Sequence, residues 1–307
     1  MKINKSLVRA GIAAVLSVAV IVTACSKSSS SNPGSSSGAS SGDAASLSAS
    51  AETADNAYND AFNVVMQTGT SSTNGGVSVE STKGNTSAYG TGSSTLSSCA
   101  TVTVSPEDAI TFPKTITVDF GSGCTSLLGY TRKGSITYTL SGPIFSPGTT
   151  ISATFNNYSV NGYQLGGTYA ITNNSTEAGL NFTTVVTGGN VIFPDSTSST
   201  YTYSGTKTVV QTAGIGTLTL ADDSYNVFGK HTYSSSVSGK SLVDSIDVNN
   251  PLVVGASCTH ITKGIIDFVY TQGSSSLTGT FDYGTGACDA DATVTIGAFT
   301  KAVVLPW

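Results

Sequence analysis

The stretch ISATFNNYSVNGYQLGGTYAITNNSTEAGLNFTTVVT, residues 151–187, alternates apolar or aromatic side chains with Thr, Ser or Asn. That period of two is the signature of strands with one dry face and one wet face. Asn161-Gly162 sits between the first two runs as a tight hairpin turn, and Gly188-Gly189 reads as another. The pattern continues through NVIFP (190–194), TYTYSGTKTVVQ (200–211), GTLTLA (216–221) and YNVFGKHTYSSSVSGKSLVDSIDV (225–248), with Ser238-Gly239 as a further turn. About fifteen short strands follow one another with no helix-period segment between them. That succession argues for an all-β antiparallel meander rather than an α/β sheet. Thr and Ser on one face predict a large twisted sheet, a loose sandwich or a partly open barrel, with a thin core.

Composition agrees. Ser (48) and Thr (45) make up 93 of 307 residues, while Asp, Glu, Lys and Arg are only 10% of the chain. So little charge excludes a coiled coil, and a net charge of −5 offers no basic surface for nucleic acid.

At the N-terminus, Lys2, Lys5 and Arg9 precede an apolar run from Ala10 to Ala24, ending Val22-Thr23-Ala24-Cys25. The run suits a signal-peptide core and is short for a membrane span. The small residues before the cysteine resemble the lipobox of bacterial lipoproteins. Residues 1–24 then read as a lipoprotein signal peptide, and Cys25 as the lipidation site and acylated N-terminus. Removing 1–24 takes away three basic groups and shifts the net charge from −5 to −8. A surface of that sign discourages binding to anionic lipid, so the lipid itself would provide the membrane attachment. Residues 25–50, dominated by Ser and Gly, read as a flexible tether.

One helix is expected, at 51–67 (AETADNAYNDAFNVVMQ), where Ala54, Ala57, Tyr58, Ala61, Phe62 and Val65 make one apolar stripe for docking on the body. Glu52, Asp55 and Asp60 are taken as complementing the helix dipole. A Gly/Ser/Thr-rich loop is expected over 68–98, and the β domain over 99–307. Trp307 after alternating strands also suits a transmembrane barrel, but Pro306 breaks that final strand and the lipobox argues for a lipid anchor instead.

If lipidation uses Cys25, four cysteines remain: Cys99, Cys124, Cys258 and Cys288. An even set fits an exported, disulfide-bonded domain. TITVDFGSGC (115–124) and TGTFDYGTGAC (278–288) are two copies of one motif, each with an upstream Ser-Cys pair. The repeat favours the disulfides Cys99–Cys124 and Cys258–Cys288 over pairings between copies. With no CxxC spacing, a zinc site built from these cysteines is set aside. Asp282, Asp289 and Asp291 could approach a calcium loop, but turn bracing by Asp119 and Asp282 is the preferred reading, and no metal or other cofactor is expected.

Chemistry is thin. His231 and His260 lack companion motifs and read as exposed strand histidines, so no catalytic residues are assigned. Tyr158, Tyr163, Tyr169, Tyr201, Tyr203 and Tyr225 are candidate platforms for sugars.

The lipobox, the Ser-rich tether, and a Thr/Gly-rich body with FNNYSVNGYQLGGTYAITN and DYGTGACDADATVTI together resemble a group of bacterial cell-envelope lipoproteins, of the kind found in Bacteroidota, with an all-β domain of unassigned function. The resemblance implies location and fold and confers no activity. Asp195-Ser196-Thr197 and Asp244-Ser245-Ile246 are similar to the O-glycosylation motif of such bacteria, which makes Ser196 and Ser245 candidate sites. The expectation is a non-enzymatic outer-membrane lipoprotein, structural or binding a protein or glycan partner; a glycan-binding surface protein or a carbohydrate-active hydrolase is the alternative. Ser26-Lys27-Ser28 lacks an acidic export run, which favours the periplasmic face over the cell surface.

Overall fold

A computed structural model describes residues 38–73, 100–126, 129–217, 222–235, 238–255 and 257–306. Cys25, Cys99 and Trp307 lie outside these residues. Among these described residues one helix, α1 (Ser41–Thr73), precedes fifteen strands. The first seven are β1 (Thr101–Ser105), β2 (Lys114–Asp119), β3 (Cys124–Thr125), β4 (Thr131–Leu140), β5 (Thr150–Val160), β6 (Tyr163–Asn173) and β7 (Asn181–Ile192). Then come β8 (Thr200–Ala213), β9 (Ser224–Ser235), β10 (Lys240–Ile246) and β11 (Leu252–Gly255). The last four are β12 (Ile261–Gln272), β13 (Ser275–Thr285), β14 (Asp291–Ile296) and β15 (Phe299–Val304).

All of them join one antiparallel sheet in nearly sequential order, β1-β2-β4-β5-β6-β7-β8-β9-β10-β12-β13-β14-β15. Two positions are occupied by a broken strand. β2 and β3 pair in succession with β4, and β10 and β11 lie end to end between β9 and β12. The fold is therefore the all-β meander with one N-terminal helix that the alternation predicts. Among the described residues no ladder joins β1 to β15, so the sheet is curled rather than a closed barrel.

The helix fills the curl. Its side chains meet β5 and β6 (Tyr58 on Phe155 and Tyr169), β7 (Phe62 on Phe182), β4 (Thr68 on Tyr138) and β13 (Glu52 on Tyr283). Ala44, Ala45, Ala51, Ala54, Ala57 and Ala61 are completely buried. Small side chains let the sheet close around the helix on nearly every side. Over residues 51–70 only a narrow stripe, Asn56, Asn59, Asn63, Gln67 and Thr70, is half-buried. A helix buried on this scale is a core element, not an amphipathic helix docked on a surface.

Three sequence expectations are corrected here. The helix is 33 residues long rather than spanning 51–67. It takes in the last ten residues assigned to the tether and the first six assigned to the loop. Ser40 caps it by accepting the Asp43 N–H at 3.1 Å, and Ser46, Ser50 and Thr53 turn their hydroxyls back onto the carbonyls four residues earlier. Hydroxyl-rich composition normally marks a tether, but burial of Ala44, Ala45 and Leu47 outweighs that local preference. Nor is the core thin, because the helix supplies its inner layer.

Gly188-Gly189 is not a turn. It lies inside β7, where the ladder shifts register, opposite a matching shift at Gly166–Thr168 in β6. Gly167 adopts φ +87°, open to glycine and strained for other residues, and a Cβ there would lie 2.6 Å from the Gly189 Cα. Of these glycines Gly189 leaves room for Tyr58, whose hydroxyl donates to the Gly166 carbonyl at 2.9 Å. A Cβ on Gly189 would sit 2.6 Å from that hydroxyl oxygen. Asn161-Gly162 does form the expected turn, with both residues at positive φ.

The outer face of the sheet is hydroxyl-rich. Ser152 and Thr154 on β5, and Thr202 and Ser204 on β8, face solvent. Large apolar side chains on the surface, such as Ile110, Val248 and Val269, are scattered over loops and separate strands. A lipid-facing barrel would carry its apolar residues outward; here they point in, toward the helix.

The two motif copies occupy equivalent hairpins, β1–β2 and β12–β13. Asp119 accepts the Gly121 N–H and Asp282 accepts the Gly284 N–H, each at 2.8 Å. Asp119 therefore braces a turn, as the repeat suggests, whereas Asp282 and Gly284 lie within β13, at a register shift against β12. The disulfide Cys258–Cys288 closes the second copy and excludes a bond from Cys258 to the first. Cys124 is also disulfide-bonded.

Candidate functional site: an ionic core between helix and sheet

Three acidic side chains of α1 point inward to basic or aromatic partners on the sheet. Asp60 receives a two-pronged contact from Arg132 on β4, 2.9 Å at Nε, and the Tyr158 hydroxyl of β5 at 2.6 Å. One turn earlier, Asp55 holds Lys207 of β8, with Nζ at 2.7 and 2.8 Å from the two carboxylate oxygens, and also accepts the Tyr203 hydroxyl. Asn59 completes that knot by accepting from Lys207 at 2.7 Å. The third acid, Glu52, accepts the Tyr283 hydroxyl of β13 at 2.7 Å and faces His231 of β9 and Asp244 of β10.

The expectation that Glu52, Asp55 and Asp60 serve the helix dipole fails for a physical reason. With the helix starting at Ser41, Glu52 is already three turns inside it, and the dipole is felt only within the first turn. These acids are instead the helix's links to the sheet. Their spacing of three and five residues, with Tyr58 between, aims them at different strands around the curl.

Burial opposes the charge on Asp55, but Lys207, followed by the more distant His231, outweighs it and holds the carboxyl below its ordinary range. Glu52 behaves oppositely. Burial raises it, and although His231 pulls it back, Asp244 and Asp55 add to the rise. Asp244 is likewise raised, chiefly by burial. Burial works against protonation of His231, yet Asp244 and Glu52 overcome it and push the imidazole up to about 10.

Hydrogen bonding separates this third knot from the other two. His231 Nε2 lies 3.1 Å from Asp244 Oδ2 and 3.7 Å from Glu52 Oε1, and all three side chains are at most 2% exposed. Even so, Glu52 Oε1, both Asp244 oxygens and both His231 ring nitrogens lack an aligned hydrogen-bond partner. His231 is thus not the exposed strand histidine its neighbourhood suggests; the alternation places it on the inner face of β9.

A cleft opens where the half-buried stripe of α1 meets the seam of the curled sheet. Asn56, Asn59 and Asn63 form its floor, Tyr130 and Arg132 one wall, and His260 and Tyr283 part of the other. His260 sits in the loop before β12 rather than on a strand, with its N–H donating to Cys258 Sγ at 3.4 Å.

No known protein family, curated protein or solved structure matches the chain. The chemistry has to be read from the side chains themselves.

Several expectations about sites are overturned or relocated. Tyr158, Tyr169, Tyr203 and Tyr225 are no more than 2% exposed, so they are core residues and not sugar platforms. Tyr163 and Tyr201 are half-buried and pack edge-on against Phe193. Ser245 is exposed on β10, but Asp244 beside it points inward at His231 and is completely buried. The folded chain therefore does not present Asp244-Ser245 as a surface motif. Ser196 stands on an exposed turn in which Asp195 accepts the Thr197 and Ser199 N–H groups, accessible to a modifying enzyme.

No motif in the sequence announces Lys207 and Arg132, or Asp244 in this buried role. A charged residue at an inward position of an alternating strand was the available signal. Lys207 shares the inner side of β8 with Val209, and Arg132 shares that of β4 with Ile136 and Tyr138.

Proposed function

We propose that the chain is a cell-envelope lipoprotein, anchored in the outer membrane through acylated Cys25, whose β body serves a binding or structural role and not catalysis. The observation that carries the non-catalytic half is the use of the ionisable groups. Asp55, Asp60, Lys207 and Arg132 are paired inside the molecule, where they fasten the helix to the sheet. The hydroxyl-rich outer sheet face supports a body exposed to water, and the lipobox supports the anchor. The binding face on this reading is the seam cleft. Its amides Asn56 and Asn63, beside Tyr130, offer donors, acceptors and one aromatic edge. That combination suits a hydroxyl-rich glycan as well as an extended peptide. The periplasmic face is the preferred side of the membrane.

Growth of expressing cells with an alkyne-tagged palmitate tests the anchor. Label should enter the wild-type chain and float with membranes, whereas Cys25→Ser should be unlabelled and released to the soluble fraction. A wild-type chain that takes up no label, or Cys25→Ser that labels equally, would refute the lipoprotein reading.

A further inference from the structure

We propose that Glu52, His231 and Asp244 bind a divalent transition-metal cation of the zinc class, which ties α1 to β9 and β10. The argument begins with charge. In the helix–sheet network Asp60 is matched by Arg132 and Asp55 by Lys207, one for one. Among the described residues, the remaining pair of carboxylates, Glu52 and Asp244, shares a single basic partner, His231. A protonated imidazole offsets at most one of the two carboxylates, whereas a divalent cation held by the neutral imidazole would match both.

Geometry points the same way. Bonds of about 2.0–2.2 Å to nitrogen and carboxylate oxygen make the edge of a tetrahedral zinc site roughly 3.3–3.6 Å. The separations from His231 Nε2 to Asp244 Oδ2 and to Glu52 Oε1, 3.1 and 3.7 Å, straddle that edge. The facing atoms are close and yet not aligned as hydrogen bonds. Donors sharing one ion lie side by side in this way, each aimed at a common centre and off the others' axes. The set of one imidazole and two carboxylates suits zinc and neighbouring ions and leaves a fourth position for water.

The surroundings support a metal as well. Glu52 keeps its other oxygen in a 2.7 Å hydrogen bond from Tyr283, which orients the carboxylate from behind. Tyr283 also lines the seam cleft. Because the three ligands come from α1, β9 and β10, the ion would bind as helix and sheet come together. This inference is independent of lipid anchoring and of any ligand in the cleft.

The test is metal uptake by the full chain. The protein, with disulfides intact, is refolded with excess zinc chloride, desalted and analysed by mass spectrometry for metal. About one zinc per chain is expected in wild type, and less than about a tenth in His231→Gln and Asp244→Asn. Zinc-edge X-ray absorption of the wild-type chain should show only nitrogen and oxygen neighbours, which excludes cysteine ligation even if a variant fails to fold. Wild type that retains no zinc would overturn the proposal. So would zinc retained equally by both variants, or a sulfur neighbour indicating Cys25.

Discussion

Replacing Arg132 with Met should destabilise the protein by about 3–5 kcal/mol, the usual cost of stranding one partner of a buried ion pair. Asp60 would keep only the Tyr158 hydroxyl, inside a core where its side chain is 8% exposed. The aliphatic part of Met roughly fills the space of the arginine stem, so the loss would report charge and not volume. Against a typical domain stability of about 5–15 kcal/mol, such a loss should show as a large fall in the urea midpoint. The double variant Asp60→Asn, Arg132→Met removes both charges and should recover most of the loss. If the single and double variants are equally unstable, Arg132 matters through packing alone, and the ionic account of the helix–sheet contact is wrong.

Tyr58→Ala should cost a similar amount, about 3–5 kcal/mol, by a different mechanism. The ring stacks on Tyr203 at 4.8 Å between centroids and meets Phe155 edge-on, and its hydroxyl lies against Gly189. Gly189 cannot move a side chain into the vacated space, so a cavity would remain. Tyr58→Phe keeps the ring and loses only the hydrogen bond to Gly166, for about 1 kcal/mol. Urea unfolding of the three proteins should rank them wild type, Phe, Ala, with the larger gap between Phe and Ala. A small loss in Tyr58→Ala would show that the sheet does not close tightly on the helix.

The difference between what the sequence made legible and what it concealed follows from which signals are local. Period-two alternation in 151–187 depends on each residue's own face, so it locates strands and a sequential antiparallel order directly. The repeated Asp-aromatic-Gly motif is also local, and in both copies the Asp accepts the N–H two residues on, in a turn at Asp119 and within β13 at Asp282. The helix ends were harder. Residues 41–50 read as a tether because Ser lowers local helix preference, while the compensating burial of Ala44, Ala45 and Leu47 comes from strands far along the chain. The candidate site is non-local throughout: Glu52 meets His231 and Asp244 across about 180–190 residues of sequence. A lone histidine and a single aspartate within ordinary strands carry no spacing that announces one another. The same holds for Gly188-Gly189, where a bulge and a turn have the same composition and only a facing Tyr58 distinguishes them.

The central claim is that α1 is the inner layer of the core and not a docked accessory. Amide hydrogen exchange over residues 44–68 of the full chain tests it most directly. An internal helix can exchange only when the curled sheet opens around it, so its amides should be protected to the same degree as those of β6, β7 and β8. Exchange of 44–68 that is complete while those strands stay protected would contradict the account, because it would mean that the helix leaves the sheet without unfolding it.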